Sequence, residues 1–382
     1  MKSIDWQTWR DEFPGLKENT YLNTVSLGQL SRRSRKAVHR FLDLWSELGA
    51  SAWYHIWLEE IEGVRREFAQ VIGASPEEIA IMSNVSSALT AVASCLNYEK
   101  RNKVICNELD FPTIPYQWYV KKDQGVETVV LPSENKVSVP LEAYESAVDE
   151  RTNLIATCRV FFTSGYIQDV KQLADMAHDQ GALLFVDDYQ GTGQVPIDVK
   201  EAGVDFLVSG GLKWLLGGPG IAFLYIRKEL IPTLQPRSTG WFAHQRQFDF
   251  DPHELELRNS GARLETGTPS VASAYAAKAG LEIINEITPE AIRERTHSLN
   301  QDLIEKLQEA GFKLRIPQDP NHHASITIME MNHNPAEVVE KLAQKNIIVD
   351  KRPGAIRIAP YFYNTFEENE LIVSALKELT SS

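Results

Sequence analysis

Runs of apolar residues, separated by polar and charged segments, predict the elements of this chain. Three such runs follow one another at residues 182–189, 204–209 and 220–226, with glycines or acidic residues at their ends. Strands that are apolar at nearly every position belong to sheets covered on both faces. Four further strands are predicted at residues 78–84, 103–107, 126–131 and 153–162. Helical periodicity between these strands completes an α/β pattern, so we predict a mostly parallel sheet of seven strands.

Polar side chains stand where two of these strands end. Asp187 and Asp188 close the first run, Gln190 follows them, and Lys213 comes just after the second run. Ligands of such sheets bind outside the carboxyl ends of the strands, so we expect a shared site there. Strand side chains alternate, so only one of the two acids can face a common ligand. A lysine amine can form a Schiff base with a cofactor aldehyde, and a carboxylate can keep a pyridine nitrogen protonated.

These residues resemble the cofactor-binding core of the class V aminotransferase family, pyridoxal 5'-phosphate (PLP) enzymes that include cysteine desulfurases and kynureninases. The matching motifs are Val186-Asp187-Asp188-Tyr189-Gln190, Lys213, and Gly217-Gly218-Pro219-Gly220-Ile221. The resemblance implies the α/β fold of PLP-dependent transferases, fold type I. A large domain at 16–262 would hold the sheet between helices, and a smaller α+β domain would comprise 263–382 together with 1–15. Lys213 and Asp187 would be the catalytic pair.

The resemblance also implies the rest of the site. Ser86 and the backbone of Val85 would bind the phosphate at a helix start, Phe111 would stack on the pyridine ring, and Arg357 would clamp the α-carboxylate of an amino acid substrate. Trp241 and Thr268 would reach the phosphate of the neighbouring subunit, which implies a homodimer with shared active sites. The remaining cofactor contacts would come from Thr113, Gln190 and Ser209, and the side-chain pocket from Ser26, Trp53 and Tyr54.

The reaction type stays open at this stage. Phe111 in Phe-Pro-Thr, Phe162 in place of a ring-facing asparagine, and Gly-Trp-Phe-Ala-His at 240–244 resemble kynureninases. However, residues 86–98 lack the histidine that meets the aromatic substrate, and Leu212 replaces the tyrosine before the lysine. Residues 350–355 lack the mobile-loop cysteine of desulfurases. We expect an aminotransferase, with a PLP-dependent lyase or an epimerase as the alternatives.

The composition of the chain and the spacing of its residues argue against several other classes of protein. A net charge of −13 over 382 residues argues against non-specific nucleic-acid binding. Three cysteines without disulfide-type or metal-type spacing indicate a reducing compartment, and scattered histidines predict no metal site. We expect no membrane span and no signal peptide, hence a cytoplasmic enzyme. A nicotinamide-dependent dehydrogenase would need an early G-x-G-x-x-G, which is missing. The intact Lys213, Asp187 and Arg357 argue against a non-catalytic scaffold of this fold.

Overall fold

The structure is a computed structural model that describes residues 4–380, and this part of the chain contains eleven α-helices and twelve strands. The helices are α1 (Trp6–Asp11), α2 (Arg32–Leu48), α3 (Leu58–Val71), α4 (Val85–Cys95), α5 (Thr113–Tyr119), α6 (Leu141–Ala147), α7 (Val170–Asp179), α8 (Val271–Ile287), α9 (Pro289–Glu309), α10 (Pro335–Gln344) and α11 (Phe366–Thr380). The strands are β1 (Thr20–Tyr21), β2 (Ile79–Met82), β3 (Lys103–Asn107), β4 (Glu127–Leu131), β5 (Thr152–Cys158), β6 (Leu183–Asp187), β7 (Phe206–Gly210), β8 (Ala222–Ile226), β9 (Thr327–Glu330), β10 (Ile347–Ile348), β11 (Asp350–Arg352) and β12 (Ala355–Ile358).

The central sheet has seven strands in the order β2-β8-β7-β6-β5-β3-β4. The strands from β7 to β4 pair in parallel, and β8 runs antiparallel to both of its neighbours. Five of the seven strands are buried at every residue, because helices cover both faces. The predicted α/β fold with a mostly parallel seven-stranded sheet is therefore confirmed.

One predicted strand is too long. The apolar run at 153–162 predicts a strand up to Phe162, whereas β5 ends at Cys158. After that point the backbone of Phe161 donates to the carbonyl of Tyr166, and Gly165 adopts a left-handed φ of 75°. The apolar residues from 160 to 162 thus leave the sheet in a turn. Val160 and Phe162 line the cavity beside the sheet, and Phe161 packs into the core.

A second, smaller core lies around the sheet β11-β12-β9, whose strands are antiparallel. Ile356 and Ile358 pack into this core with residues of α9, α10 and α11. Because side chains alternate along a strand, Arg357 between them faces the opposite way, towards the large sheet. The alternation of β12 therefore decides that this arginine reaches the other part of the molecule.

The amino-terminal segment joins both parts. β1 pairs in parallel with β10, Asn23 bridges to Ala359, and Leu22 belongs to the smaller core. The helix predicted over residues 1–15 is shorter, because α1 ends at Asp11 and a 3-10 turn begins at Pro14; residues 1–3 lie outside the described part. Helix α8 packs against α2 and α3. The domain boundary between residues 262 and 263 stays a prediction. No helix between residues 4 and 380 is long and apolar enough to cross a membrane.

Candidate active site

The carboxyl ends of β5, β6 and β7 surround a small cavity that brings together most of the predicted chemistry. It is lined by Phe111, Cys158, Val160, Phe162, Asp187, Tyr189, Gln190 and Lys213. Asp187 is the last residue of β6, and Lys213 follows β7 after a turn. The position of this cavity at the strand ends agrees with the expectation from parallel sheets.

Asp187 and Asp188 have different environments. Asp187 lies in the cavity wall, its Oδ1 accepts the backbone N–H of Tyr189 at 2.9 Å, and burial raises the pKa of its carboxyl to about 6. Asp188 points away into a bidentate ion pair with Arg159, with both N–O distances at 2.8 Å, and accepts the hydroxyl of Thr192 at 2.6 Å. Because side chains alternate along the strand, Asp187 can contact a ligand, while Asp188 stabilises the fold through its ion pair.

Lys213 lines the cavity, and its side-chain amine is less basic than that of an ordinary lysine. Burial, followed by the charge of Arg357, lowers the pKa of its amine to about 8, against the opposing effect of Asp187. The backbone at this point touches the amino-terminal segment: the N–H of Gly28 donates to the carbonyl of Leu212 at 3.0 Å. A Cβ on Gly28 would lie 2.2 Å from the Lys213 carbonyl oxygen, so only glycine allows this approach. A lysine with a lowered pKa is suited to nucleophilic and base chemistry near neutral pH.

Phe111 stands at the cavity with half of its surface exposed, and its ring meets that of Phe162 edge-on at 5.5 Å. The preceding residue, Asp110, fixes this loop to the sheet. Its carboxylate accepts the backbone N–H of Cys158 at 2.7 Å and that of Asn107 at 2.8 Å. Burial raises the pKa of Asp110 to about 7. The loop is therefore anchored while the Phe111 ring remains free to meet a planar ligand.

A hydroxyl-rich cavity of about 710 Å³ lies at the start of α4. Ser86 and Thr268 of the same chain both line it, and the Ser86 hydroxyl lies 2.8 Å from that of Thr113. The N-cap is Asn84, whose side chain accepts the N–H of Ser87, and Val85 is buried. Free N–H groups and hydroxyls at the start of an eleven-residue helix form a suitable anion site.

Arg357 is almost completely buried and engaged on three sides. Its Nη2 donates to Asp350 Oδ2 at 2.7 Å and to the Ser26 hydroxyl at 2.8 Å, and its Nη1 donates to the Phe162 carbonyl at 3.2 Å. Arg352 donates to the same Asp350 oxygen at 2.8 Å. Two guanidinium groups thus share one carboxylate beside the cavity, which leaves a positive charge available for an incoming anion.

Among the other predicted site residues, Gln190 lines the Lys213 cavity, whereas Ser209, Trp53, Tyr54 and Trp241 do not. Ser209 does not line the Lys213 cavity, because its side chain is buried behind β7 and donates weakly to the Asp188 carbonyl at 3.4 Å. Gln190 does line the cavity, but its amide already binds the indole of Trp214 at 2.8 Å and the carbonyl of Val25 at 3.3 Å. Three predicted aromatic residues have their ring contacts outside this cavity: Trp53 with Phe242, Tyr54 with Phe248, and Trp241 with Phe242, Phe248 and Phe250.

Sequence reasoning missed four polar residues at the site: Asp110, Tyr189, Asp350 and Arg352. A signal existed for the last two. Pro353-Gly354 is a two-residue turn, and the pairing of Arg352 with Ala355 places Asp350 directly opposite Arg357. Proline followed by glycine with a left-handed φ is typical of such turns. For Asp110 and Tyr189 the sequence carries no comparable signal, because their roles depend on contacts between separate strands.

Comparison with known proteins identifies the family. Residues 28–370 match the profile of the family described as aminotransferase class-V. The chain is a member of this family. It is 37% identical to an uncharacterized aminotransferase, YcbU, of Bacillus subtilis (strain 168), over 95% of each protein. It is 30% identical to the kynureninase of Bacillus anthracis, over 98% of this chain and 91% of that one. The recognition of the class V family from its motifs is confirmed.

Solved structures show the same fold. A cysteine desulfurase from Thermococcus onnurineus NA1 superposes with a TM-score of 0.89 at 24% identity, covering both chains completely. The cystine C–S lyase C-DES superposes with a TM-score of 0.88 at 19% identity, over 96% of this chain and 99% of that one. The chain is thus a PLP-dependent enzyme of the class V family with fold type I.

The residues at the site fit this cofactor. The buried Asp187 carboxylate has a single backbone donor and a raised pKa, so a cationic ring nitrogen would satisfy it. Lys213 supplies the amine, and the hydroxyls of Ser86 and Thr113 supply donors for a phosphate at the start of α4. The half-exposed ring of Phe111 offers a face for a pyridine. The residues at the site therefore provide a group for each part of PLP: the pyridine ring, the aldehyde and the phosphate.

Proposed function

We propose that this protein is an aminotransferase that acts on an amino acid, with Lys213 as the catalytic amine and Arg357 as the carboxylate-binding residue. The observation that carries the proposal is Arg357. Its guanidinium reaches from β12 across to the Lys213 cavity and binds the carbonyl of Phe162, which lines that cavity. A buried, preorganised guanidinium beside a reactive amine is suited to the α-carboxylate of an amino acid.

When bound, PLP supplies an aldehyde that condenses with amines and a pyridine ring that accepts the electron pair of the broken α-bond. Asp187 would hold the ring nitrogen protonated, since a carboxylate buried without a full set of partners favours a cationic neighbour. Ser86, Thr113 and the N–H groups of α4 would orient the phosphate.

Lys213 would accept the proton that leaves the substrate α-carbon. An ordinary lysine is charged at neutral pH and cannot accept a proton, but burial and the charge of Arg357 lower the pKa of Lys213 to about 8. Binding of the substrate carboxylate at Arg357 would hold the α-carbon near this amine. Phe111 and Phe162 would limit access of water to the reacting atoms, since their rings form an apolar wall over the cavity.

The lyase alternatives differ in their support. A persulfide-forming desulfurase needs a reactive thiol, yet the one cysteine in the cavity, Cys158, is buried and the pKa of its thiol is raised well above the ordinary value. A kynureninase-like lyase is the second candidate, favoured by the 30% identical kynureninase and by the aromatic pair Phe111–Phe162. The missing histidine between residues 86 and 98 argues against kynurenine itself.

The test is a half-reaction on the purified yellow enzyme. A panel of amino acids is added, and the cofactor is extracted and identified by its mass. An aminotransferase converts PLP to its amino form and restores the aldehyde form when a keto acid is added. Release of pyruvate, alanine or sulfide with the cofactor remaining as the aldehyde would identify a lyase and reject the proposal.

A further inference from the structure

Tyr189 and Lys213 line the same cavity and contact each other. The Lys213 ammonium lies over the Tyr189 ring, with Nζ 4.2 Å from the ring centroid. The backbone N–H of Tyr189 donates to Asp187 Oδ1 at 2.9 Å, so the residue is fixed at the end of β6. An ammonium over an aromatic face is attracted by the negative charge density of the ring.

The neighbouring strand makes room for this ring. A Cβ on Gly210 would lie 2.4 Å from Cε2 and Cζ of Tyr189 and 2.6 Å from its hydroxyl oxygen, so a side chain at this position would displace the Tyr189 ring. Gly210 does not have a left-handed φ, so its backbone conformation would accept an alanine. The absence of a side chain at position 210 therefore leaves the Tyr189 ring in its place, while the backbone conformation does not demand a glycine.

Burial raises the pKa of the Tyr189 phenol to about 12. The hydroxyl is thus neutral at working pH. The part of the side chain that acts on Lys213 is the ring face.

We propose that Tyr189 is a positioning residue for Lys213: its ring holds the ammonium at the end of β7, and Gly210 is the glycine that admits this ring. The inference rests on the proposed role of Lys213, but it concerns the amine itself before any cofactor binds. It can therefore fail while the proposed function stands, and the reverse is also true.

The experiment measures how the reactivity of Lys213 towards an amine-labelling reagent depends on pH in the cofactor-free full-length chain, by quantitative peptide mass spectrometry. Only the neutral amine reacts, so the midpoint reports the pKa of Lys213. The charged and titratable groups that act on this amine are Arg357, Asp187, Cys158 and Arg352, and all stay unchanged in the variants. The exposed Lys100 serves as the internal reference, and circular dichroism checks the fold.

Three variants separate the ring, the hydroxyl and the available space. Tyr189→Phe keeps the ring and should leave the labelling midpoint unchanged. Tyr189→Leu keeps an apolar side chain but removes the aromatic face, so labelling of Lys213 below the midpoint should become about three- to tenfold faster. Gly210→Ala should give a similar increase, because its methyl group displaces the ring.

The double variant Tyr189→Leu/Gly210→Ala tests whether Gly210 acts through the Tyr189 ring. In the Tyr189→Leu background the clash at Gly210 no longer exists, so Gly210→Ala should add nothing to the labelling rate. The proposal is overturned if Tyr189→Leu leaves the midpoint unchanged or raises it. It is equally overturned if the effect of Gly210→Ala persists in full when Tyr189 is leucine. Should Tyr189→Leu not fold, the comparison of Gly210→Ala with the original chain still tests the displacement of the ring.

Discussion

Two adjacent carboxylates show how environment and not residue type assigns a role. Asp187 faces the cavity with one backbone donor, while Asp188 is saturated by Arg159 and Thr192. Removing the charge of a buried, paired acid leaves its partner without compensation, which costs about 3–5 kcal/mol of folding free energy. Removing the charge of an acid that serves a ligand affects the ligand instead.

Asp187→Asn and Asp188→Asn should therefore fail differently. We expect Asp187→Asn to fold normally and to lose roughly 10²- to 10³-fold in kcat, the range for one preorganised electrostatic group. Asp188→Asn should lower the free energy of unfolding by about 3–5 kcal/mol because Arg159 stays buried and uncompensated. Urea unfolding and steady-state kinetics on both variants provide the check. Equal losses of kcat, measured on folded protein, would contradict the assignment.

The raised pKa of Asp187 predicts a pH dependence of stability in the cofactor-free chain. The folded state holds this proton up to about pH 6, whereas the unfolded state releases it near 3.8. Between these values the folded state binds more protons, so stability falls as pH rises, by about 2–3 kcal/mol for this group. Subtracting the Asp187→Asn stability curve from that of the original chain measures this effect, together with the smaller part of the raised Asp110 pKa that the Asp187 charge causes. A flat difference between pH 4 and 6 would refute it.

At the scale of elements, β12 shows how alternation carries a functional group between two cores. Ile356 and Ile358 belong to the smaller core, and Arg357 between them reaches the Lys213 cavity. The planar guanidinium can bind a carboxylate through two hydrogen bonds, which an ammonium cannot reproduce.

Arg357→Lys should therefore weaken substrate binding more than it slows the chemistry. We expect KM for the amino acid to rise roughly 10- to 100-fold with a smaller change in kcat, as for the loss of a hydrogen bond to a charged group. A primary amine without a carboxylate serves as the matched substrate and should react at similar rates with both enzymes. A parallel loss with that amine would show that Arg357 does not bind the carboxylate.

Much of this architecture follows from local pattern. β3 begins and ends at the predicted residues, because its apolar run is bounded by Lys103 and Asn107. β5 was predicted four residues too long, since apolar residues that line a cavity look like strand residues. Lys213 and Asp187 are predictable because they stand at strand ends. Ser209 was misplaced at the cavity, and Tyr189 was missed, because side-chain direction after a strand depends on the neighbouring strand.

At the scale of the whole molecule, apolar side chains remain exposed around the predicted partner-facing residues. Tyr54, Phe248 and Phe250 expose 55%, 39% and 68% of their surfaces and contact one another or Trp241. Exposed aromatic clusters of this kind mark association surfaces. The cluster supports the proposal of a homodimer, to which Trp241 and Thr268 would contribute.

Mixing two inactive variants tests whether the sites are shared. Thr268 lines a cavity with Ser86 of its own chain, so it could act within one subunit or across to its partner. If Thr268 acts across the interface, heterodimers of Lys213→Ala and Thr268→Trp should regain activity, because one site of each carries neither change. If it acts within its own chain, no activity returns, and the proposal of shared sites fails. Native mass spectrometry confirms that heterodimers have formed.

The pairing of β1 with β10 has a consequence for how the enzyme comes into being. Thr20 and Tyr21 are synthesised long before their partners Ile347 and Ile348. Ser26 likewise cannot bind Arg357 until that residue has been synthesised. The entropic cost of closing such a loop increases only slowly with its length, so this long separation in sequence does not prevent the contact. A nascent chain therefore contains the lysine and its carboxylate well before it can bind a substrate carboxylate. The substrate site is therefore complete only after β12, which carries Arg357, has been synthesised.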